Sequence, residues 1–295
     1  MDNTKVPCVL GKPVELLPGV VRIVAPNPSI MTGPGTNTYL VGEQQVVVID
    51  PGPDDETHLA AIERSGGGRI STIALTHRHL DHAEGARKLQ QMTGAQIVCG
   101  EGGGGIEHVP SSHLGRFDVI GEGDLASVGG FPLAAVRTPG HSSDHLCYIL
   151  DTAGLRILFS GDHLMQGSTV VIMPPDGNMS DYMRSLRDLT RLYPSPDAIA
   201  PGHGTWMESA VEVIEWFIRH REDRRDAVVK ALTTRGSATV DDLLPTVYSD
   251  VGEVLRPMAR YSLWAHLRQL VEEGQAITSD PENPTGRYSA VSVQC

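Results

Sequence analysis

Thr76-His77-Arg78-His79-Leu80-Asp81-His82 places three imidazoles and one carboxylate close together in the chain. Residues 70–76 are apolar and β-branched, which predicts a buried strand, and residues 83–92 predict a helix. Imidazole and carboxylate groups are ligands that suit Zn²⁺ and, less selectively, Fe or Mn. In a turn at a strand end, His77 and His79 can face one point while Asp81 and His82 face a neighbouring point. The run therefore predicts parts of two metal sites.

Three further segments each place one candidate ligand just past the end of a predicted strand. They are Thr138-Pro139-Gly140-His141, Ser160-Gly161-Asp162 and Pro201-Gly202-His203-Gly204. Each contains glycine, which lets the backbone turn tightly and come close to a metal. Loops at strand ends can converge on one edge of a layered sheet structure. The sequence therefore offers five His and two Asp for one metal centre.

Composition and charge limit the class of protein that carries these residues. The chain has 295 residues, of which 40% are hydrophobic and 20% charged, as is typical of a globular protein with a sizeable core. A formal net charge of −12 argues against broad, charge-driven nucleic-acid binding, although not against a local basic groove. No apolar run approaches the ~20 residues of a membrane helix, and the first residues do not resemble a secretory signal. The cysteines, without CxxC spacing, predict reduced thiols in a cytoplasmic protein with no membrane partner: Cys8, Cys99, Cys147 and Cys295.

The order of predicted elements divides the chain into two parts. Strands alternate with helices in a layered α/β pattern, with strands at residues 20–25, 36–41, 45–50, 70–76 and 96–99, and helices at 55–65 and 83–92. After Gly204 helices are predicted at 208–232, with a break near 220–226, then at 240–248 and 257–273, before a strand-like tail at 276–293. We therefore predict a catalytic domain at residues 1–220 and a small, mainly helical, winged-helix-like domain at 221–295.

The motif HxHxDH, followed by a separated His, Asp and His, resembles the metallo-β-lactamase superfamily over residues 36–204. The resemblance implies a four-layer αβ/βα sandwich of the α/β class with two divalent metal ions at one edge, Zn before Fe or Mn. It also implies the roles of the ligands: His77, His79 and His141 hold one ion, Asp81, His82 and His203 hold the second, and Asp162 bridges them. Asp81 and Asp162 are accordingly the catalytic candidates.

Within the superfamily, several segments resemble the β-lactamase-like protein 2 group. They are Gly35-Thr36-Asn37-Thr38-Tyr39-Leu40, the run from Thr138 to His145, Gly161-Asp162, and Gly167-Ser168-Thr169. Animal members of that group are endoribonucleases, and fungal relatives include polyketide thioesterases. The presence of Asp162 and the absence of a Cys ligand disfavour a dedicated β-lactamase. This sequence departs from the group by inserting residues 171–179, which we expect near the mouth of the site.

The resemblance implies a hydrolase in which a hydroxide, held between two ions about 3.5–4 Å apart, attacks the substrate. We expect a small-molecule ester, thioester or lactone-like substrate. An endoribonuclease acting on single-stranded RNA is the alternative, because the same hydroxide attacks phosphorus and the metal motif does not separate the two. A nucleic-acid-binding regulator that uses the C-terminal module is a third alternative. An apolar stripe at Leu263, Leu267, Leu270 and Val271 packs inside the module, on the catalytic domain or across a homodimer.

Other polar residues are candidates to support the ligands or to contact the substrate. They are Asp50, Asn37, His145, Ser168 and Thr169. Asp50 can orient a ligand imidazole or cap a Pro-Gly turn, and His145 can contact substrate or support the site. Asn37, Ser168 and Thr169 are candidates for the rim, with ordinary loop roles as the alternative. The isolated histidines are expected on the surface or in packing: His58, His108, His113, His220 and His266.

Overall fold

Strands and helices alternate through the first two-thirds of the computed structural model, which describes residues 8–105, 107–123, 125–128, 131–152, 154–192 and 194–291. The strands of the large domain are β1 Val14–Leu17, β2 Val20–Val24, β3 Asn37–Val41, β4 Val46–Ile49, β5 Ile70–Ala74, β6 Gln96–Cys99, β7 Phe117–Val119, β8 Leu125–Val128, β9 Phe131–Arg137, β10 Leu146–Thr152, β11 Leu155–Gly161, β12 Ala198–Pro201 and β13 Met207–Glu208. Its helices are α1 Glu56–Gly66, α2 Leu80–Ala83, α3 Ala86–Thr93, α4 Ser111–Leu114 and α5 Met179–Thr190. The chain then continues through α6 Ala210–Arg235, β14 Ser237–Thr239, α7 Val240–Val247, α8 Arg256–Glu272, β15 Ala276–Ile277 and β16 Arg287–Ala290.

Two sheets form the frame of the large domain. The first has the order β1-β2-β3-β4-β5-β6-β7, and its strands from β4 to β7 are parallel. The second has the order β13-β12-β11-β10-β9-β8, in which β11 and β12 are parallel. In open α/β sheets, ligands bind outside the carboxyl ends of parallel strands. The loops after β4, β5, β11 and β12 are therefore the natural place for a site.

Alternating side chains pack the two sheets into the middle of four layers. In β4, Val47 and Ile49 face the core between the sheets, whereas Val46 and Val48 pack under α1 and α3. This follows from the period of two in a strand, which makes a continuous apolar run suitable for burial on both faces. On the other side, α5 and α6 cover the second sheet. The predicted four-layer sandwich is confirmed.

The helix predicted at 83–92 is present as α3, but it begins three residues later, and the short helix α2 before it was not predicted. The turn between α2 and α3 lies at Gly85, whose N–H donates to the Gly52 carbonyl at 2.9 Å. A Cβ at Gly85 would lie 2.9 Å from the Pro53 carbonyl oxygen, so only glycine fits this close approach. The separate helix α2 carries Asp81 and His82, which places these two side chains apart from the preceding loop.

α6 is one continuous helix of 26 residues, so the break predicted near 220–226 is wrong. Charged side chains in this stretch find partners along and beside the helix instead of ending it. Arg219 pairs with Glu215 one turn earlier at 3.4 Å, and Arg225 pairs with Glu273, directly after the end of α8, at 2.5 Å. The predicted domain boundary at 220/221 lies inside α6, which packs on the second sheet at its start and on α7 and α8 at its end.

The C-terminal part has its own small core and a three-stranded sheet of order β14-β16-β15. Thr239 and Asp242 form a reciprocal capping box that begins α7. Leu263, Leu267 and Leu270 are fully buried in this core, so the apolar stripe of α8 packs inside the module. The predicted tail forms the short strands β15 and β16, and its last residues, 292 and 293, lie outside the described residues.

Two sequence predictions concern the environment of the chain. Cys8, Cys99 and Cys147 are free thiols in the structure, and Cys295 lies outside the described residues. Across the described ranges, no helix is both long and apolar enough to cross a membrane.

Candidate metal centre

Six of the seven predicted ligands follow the carboxyl ends of parallel strands from both sheets, in loops or, for Asp81 and His82, in the short helix α2. The run from His77 to His82 follows β5, Asp162 follows β11, and His203 follows β12. His141 lies in the loop between β9 and β10. A Cβ at Gly202 would lie 2.8 Å from Asp162 Oδ1, so glycine is needed there for the two loops to meet.

All seven predicted ligands lie together at this edge. Their potential ligand atoms form three groups, within each of which the atoms lie within 4.8 Å of one another: His77, His79 and His141; His77, His82 and Asp162; and Asp81, His82 and His203. In the first group, His79 Nδ1 lies 2.9 Å from His77 Nε2 and 3.0 Å from His141 Nε2. Three nitrogens thus converge on one point.

The second set of ligands converges on a neighbouring point, with Asp162 between the two. His203 Nε2 lies 3.2 Å from both His82 Nε2 and Asp81 Oδ2. Asp162 Oδ1 lies 3.3 Å from the Nε2 atoms of His82 and His203, and Asp162 Oδ2 lies 3.7 Å from His141 Nε2. The two carboxylate oxygens of Asp162 therefore face opposite halves of the cluster.

Four of the five imidazoles are held through Nδ1. The partners are Thr76 Oγ1 for His77 at 3.0 Å, Asp50 Oδ2 for His82 at 2.8 Å, the Val171 carbonyl for His141 at 2.8 Å and the Gly35 carbonyl for His203 at 3.4 Å. Carbonyl and carboxylate oxygens only accept, so the Nδ1 atoms of His82, His141 and His203 donate. The Thr76 hydroxyl gives its proton to Asp50 Oδ2, so Thr76 Oγ1 accepts from His77 Nδ1. Nε2 is therefore the ring atom that each of these histidines turns toward the cluster. Such outer hydrogen bonds are how proteins orient the histidine ligands of a metal.

The arrangement of the seven ligands fits two divalent cations. Without a cation, the lone pairs and carboxylates that converge here would repel one another. Nε2 lone pairs of His77 and His141 converge on His79 Nδ1 at hydrogen-bond distance. Among the described residues, no hydrogen bond of good geometry reaches buried Asp162 Oδ1, although the Nε2 atoms of His82 and His203 lie 3.3 Å away. Buried polar atoms ordinarily have partners, and a bound metal ion can supply one. Nitrogen and carboxylate donors at this spacing are the ligand types of Zn²⁺.

The pKa values of the histidines differ between the two halves of the cluster. Burial lowers the pKa of His77 well below its usual value and that of His79 to about 3, so these rings are neutral donors. Burial also opposes charge on His203, but the carboxylates of Asp162 and Asp81 outweigh it and raise its pKa to about 9. The carboxylate-rich half therefore stabilises positive charge, and the other half offers lone pairs, as a cationic centre requires.

Two of the supporting candidates hold the loops that carry ligands. Asp50, at the end of β4, accepts from His82 Nδ1 at 2.8 Å and from the N–H and the hydroxyl of Thr76, both at 2.7 Å. Asn37 is buried away from the rim, and its Nδ2 donates to the carbonyls of Pro201 and Gly204 at 2.8 and 2.9 Å. Asn37 therefore clamps the loop of His203.

His145 lies beneath the cluster. Its Nε2 accepts from the backbone N–H of Asp162 at 3.2 Å, and its Nδ1 lies 2.8 Å from Thr138 Oγ1. With both nitrogens used, this buried ring supports Asp162. Ser168 is exposed and Thr169 half-buried, and the only described hydrogen bond between their side chains and protein is Ser168 Oγ to the Thr169 carbonyl at 3.4 Å.

A buried ion pair was missed by the sequence analysis. Arg78, between two ligands, donates from Nε to Asp144 Oδ2 at 3.0 Å and from Nη1 to Ser111 Oγ at 2.7 Å. His108 Nε2, expected to stand alone, lies 3.3 Å from the same Asp144 oxygen. Burial opposes ionisation of Asp144, but hydrogen bonds from these neighbours outweigh it and hold its pKa well below its usual range. The position of Arg78 between two ligand histidines in the sequence could have predicted this ion pair, since a guanidinium buried with the ligands needs an acidic partner.

The inserted segment contacts the loop of His141. Asp176 Oδ1 accepts from Ser143 Oγ at 2.7 Å, and Asp176 Oδ2 accepts from the Ser143 N–H and from Ser142 Oγ, both at 3.1 Å. With the Val171 carbonyl on His141 Nδ1, this makes two attachments between residues 171–179 and the metal edge. The sequence analysis predicted that this segment lies near the site, but it predicted none of these contacts.

The sequence profile of the Metallo-beta-lactamase superfamily matches residues 31–203, and that of the beta-lactamase associated winged helix domain matches residues 239–281. The chain belongs to the metallo-β-lactamase superfamily and is a hydrolase of that superfamily with a C-terminal winged helix domain. Both the resemblance and the fold predicted from the sequence are confirmed.

Individual relatives narrow the comparison. The chain is 32% identical to a beta-lactamase-like protein 2 homolog of Drosophila melanogaster over 88% of this chain and 90% of that protein. It is also 32% identical to an atrochrysone carboxyl ACP thioesterase of Aspergillus fumigatus, over 77% and 70% of the two chains. The crystal structure of a beta-lactamase domain protein from Burkholderia ambifaria shares the fold, with a TM-score of 0.79, 19% identity, and coverage of 97% and 96%.

Proposed function

We propose that this protein is a binuclear metal hydrolase of small ester, thioester or lactone-like substrates. The observation that carries the proposal is the pair of ligand groups joined by Asp162, with one carboxylate oxygen facing each half. His77, His79 and His141 would hold one ion, and Asp81, His82 and His203 the other. Two divalent ions, most simply Zn²⁺, would supply Lewis acidity and lower the pKa of a water toward ~7.

The chain's own residues define how substrate approaches. His77 and His82 are fully buried, whereas His79, Asp81 and His141 are partly exposed. Substrate therefore reaches the cluster over these three side chains. Asp81 is the more open of the two catalytic candidates, since its side chain is 30% exposed against 11% for Asp162. Asp81 faces the entering molecule, and Asp162 anchors the cluster from within.

A carbonyl substrate is favoured over RNA by two observations. The net charge of −12 repels a polyanion unless a basic channel offsets it. One relative, at 32% identity, is named as a thioesterase acting on an acyl carrier protein. We therefore place a small acyl compound before single-stranded RNA, and we keep the cytoplasmic location as a prediction that rests on the cysteine pattern.

The test joins metal analysis to a parallel substrate screen. Zinc-loaded protein is assayed against thioesters, lactones, phosphodiesters and single-stranded RNA, with His79→Ala as the inactive comparison and His113→Ala, an exposed histidine, as the control. We expect thioester or lactone turnover that His79→Ala abolishes while its core stays folded. RNA cleavage faster than every carbonyl reaction, lost in the same variant, would instead establish the nuclease.

A further inference from the structure

The orientation of His141 depends on one peptide group of the inserted segment. His141 Nδ1 donates to the Val171 carbonyl at 2.8 Å, which leaves His141 Nε2 facing His79 Nδ1 at 3.0 Å. A rotation of that carbonyl would remove the acceptor that fixes both the tautomer and the direction of the ring. The Val171–Ile172 peptide is therefore part of the support of the metal edge.

This peptide lies outside regular secondary structure, and a side chain of α8 holds its other end. The Ile172 N–H belongs to the same planar unit as the Val171 carbonyl, and it donates to Ser262 Oγ at 3.4 Å. Since the unit is rigid, holding the N–H restricts the direction of the carbonyl. Val170 and Ile172 on either side are buried, with exposures of 2% and 0%.

A side chain of α6 holds the preceding peptide. The Arg221 guanidinium donates to the Val170 carbonyl and lies 5.3 Å from the centre of the Tyr182 ring. Arg221 is 2% exposed, and no carboxylate within the described residues pairs with it. A buried guanidinium without an acid is costly. Since Arg221 donates to the carbonyl of the residue before Val171, we infer that it holds the backbone at this position.

We propose that Arg221 and Ser262 are positioning residues through which the C-terminal part of the chain sets His141 in the metal centre. They hold two successive peptides, and the second of these carries the carbonyl that binds His141 Nδ1. This rests on the proposed binuclear centre and adds a dependence of one half of it on α6 and α8. The ligands of the other half, Asp81, His82 and His203, have no contact with this segment among the described hydrogen bonds.

The chain offers a matched control for Arg221. Arg224, less than one turn further along α6, also donates to a backbone carbonyl, that of Val247, and also lies over a tyrosine ring, that of Tyr248 at 4.4 Å. Its contacts lie within the C-terminal module. Arg224 differs from Arg221 in one further contact, an ion pair with Asp250 at 2.9 Å. Arg224→Met therefore perturbs the same helix at least as strongly, without touching residues 170–172.

The experiment titrates zinc into metal-free wild type, Arg221→Met, Ser262→Ala and Arg224→Met by calorimetry. We expect Arg221→Met to weaken one of two binding steps about 10–100-fold, with Ser262→Ala at the lower end of that range and the second step unchanged. Arg224→Met should leave both steps unchanged. Ring ¹⁵N shifts of His141 in the metal-free proteins give a second readout, since loss of the Nδ1-protonated form is expected in Arg221→Met, to a smaller extent in Ser262→Ala, and not in Arg224→Met.

Equal weakening by Arg221→Met and Arg224→Met, or unchanged zinc binding in both Arg221→Met and Ser262→Ala, overturns the proposal. If Arg221→Met does not fold, Arg221→Lys and Ser262→Ala carry the same test. The lysine keeps a donor for the Val170 carbonyl, so we expect Arg221→Lys to bind zinc more tightly than Ser262→Ala. Wild type that takes up fewer than two ions refutes the binuclear centre itself. Wild type that binds two ions but cleaves no carbonyl substrate refutes only the substrate class.

Discussion

His82 Nδ1 lies 2.8 Å from Asp50 Oδ2, although 32 residues separate them in the chain. The same carboxylate accepts from the N–H and the hydroxyl of Thr76. The backbone of Asp50 is left-handed, with φ of 51°, a conformation that costs a residue other than glycine about 1–3 kcal/mol. The fold thus tolerates strain at the end of β4 to place this acceptor between the β5 loop and α2.

Asp50→Asn should weaken zinc binding without unfolding the protein. The asparagine amide has one acceptor oxygen, so its NH₂ group must face either His82 Nδ1 or Thr76, and both of those groups donate. We expect about a 10–100-fold loss of affinity in the step that involves His82, measured by zinc titration. The control is Asp151→Asn, on a carboxylate that is half exposed and pairs with Arg156 at 3.2 Å. Equal affinities in the two variants would contradict a role for Asp50 in orienting the ring.

Asp162→Ala should lower the metal content of the protein. The two oxygens of Asp162 face both halves of the cluster, so its loss removes one anionic ligand from each. We expect wild type supplied with zinc to hold about two ions per chain and the variant to hold about one or fewer, by elemental mass spectrometry. Asp188→Ala, at an exposed position of α5, serves as the control. A variant that retains both ions would remove Asp162 from the bridge.

The layered fold and the ligand positions were predictable because each depends on local pattern. The apolar run of β4 and the glycines beside His141, Asp162 and His203 are visible in the sequence, and strand ends fix where such loops must lie. The unbroken helix α6 was not predicted, because a charged run such as Arg219 to Asp226 gives no sign of which acids will meet which bases. Arg225 finds Glu273, and that partner is 48 residues away.

The supporting contacts were predictable only in part, because they join segments distant in sequence. Asp50 was recognised as a candidate, but its strained backbone and three hydrogen bonds depend on the packing of β4 against β5. The carbonyl of Val171 carries no signal at all, since every residue has one. A backbone acceptor can be found only when the fold shows which peptide lies 2.8 Å from His141.

Arg78→Met should lower the free energy of unfolding more than a substitution that breaks an exposed ion pair. Asp144 is fully buried, and the substitution leaves its carboxylate without the guanidinium. Breaking one partner of a buried pair costs about 3–5 kcal/mol, so we expect a loss of that size in the free energy of unfolding of the metal-free protein. Arg191→Met breaks an exposed pair with Asp188 and should cost at most about 1 kcal/mol.

The double variant Arg78→Met/Asp144→Leu tests whether that loss comes from the stranded charge. Replacing both members of a buried pair by apolar residues is often neutral or stabilising. We therefore expect the double variant to recover part of the stability lost in Arg78→Met, as measured by chemical denaturation. A double variant less stable than the single one would show that Asp144 has favourable contacts of its own with His108 and Ser142.

His266 of α8 is a buried histidine away from the metal edge. Burial lowers its pKa to about 3, and the positive charges of Arg221, Arg224 and Arg225 on α6 add to the effect, against a hydrogen bond with Gln269. In the unfolded chain an imidazole has a pKa of about 6.5. Between these two values the unfolded state binds the proton and the folded state does not. The stability that depends on neutral His266 is therefore complete above pH ~6.5 and is lost as the pH falls toward 3.

His266→Gln should flatten the acid side of the stability profile of the metal-free protein. Near pH 5, one group of this kind contributes a slope of about 1.4 kcal/mol per pH unit, because the unfolded state holds nearly one more proton than the folded state. We expect the free energy of unfolding, measured by denaturant titration from pH 7 to pH 4, to fall less steeply in the variant than in wild type by up to that amount. His58→Gln tests the same physics in the large domain, since burial lowers the pKa of His58 to about 4. Identical slopes in wild type and His266→Gln would show that His266 becomes protonated without unfolding, and that its burial does not hold it neutral.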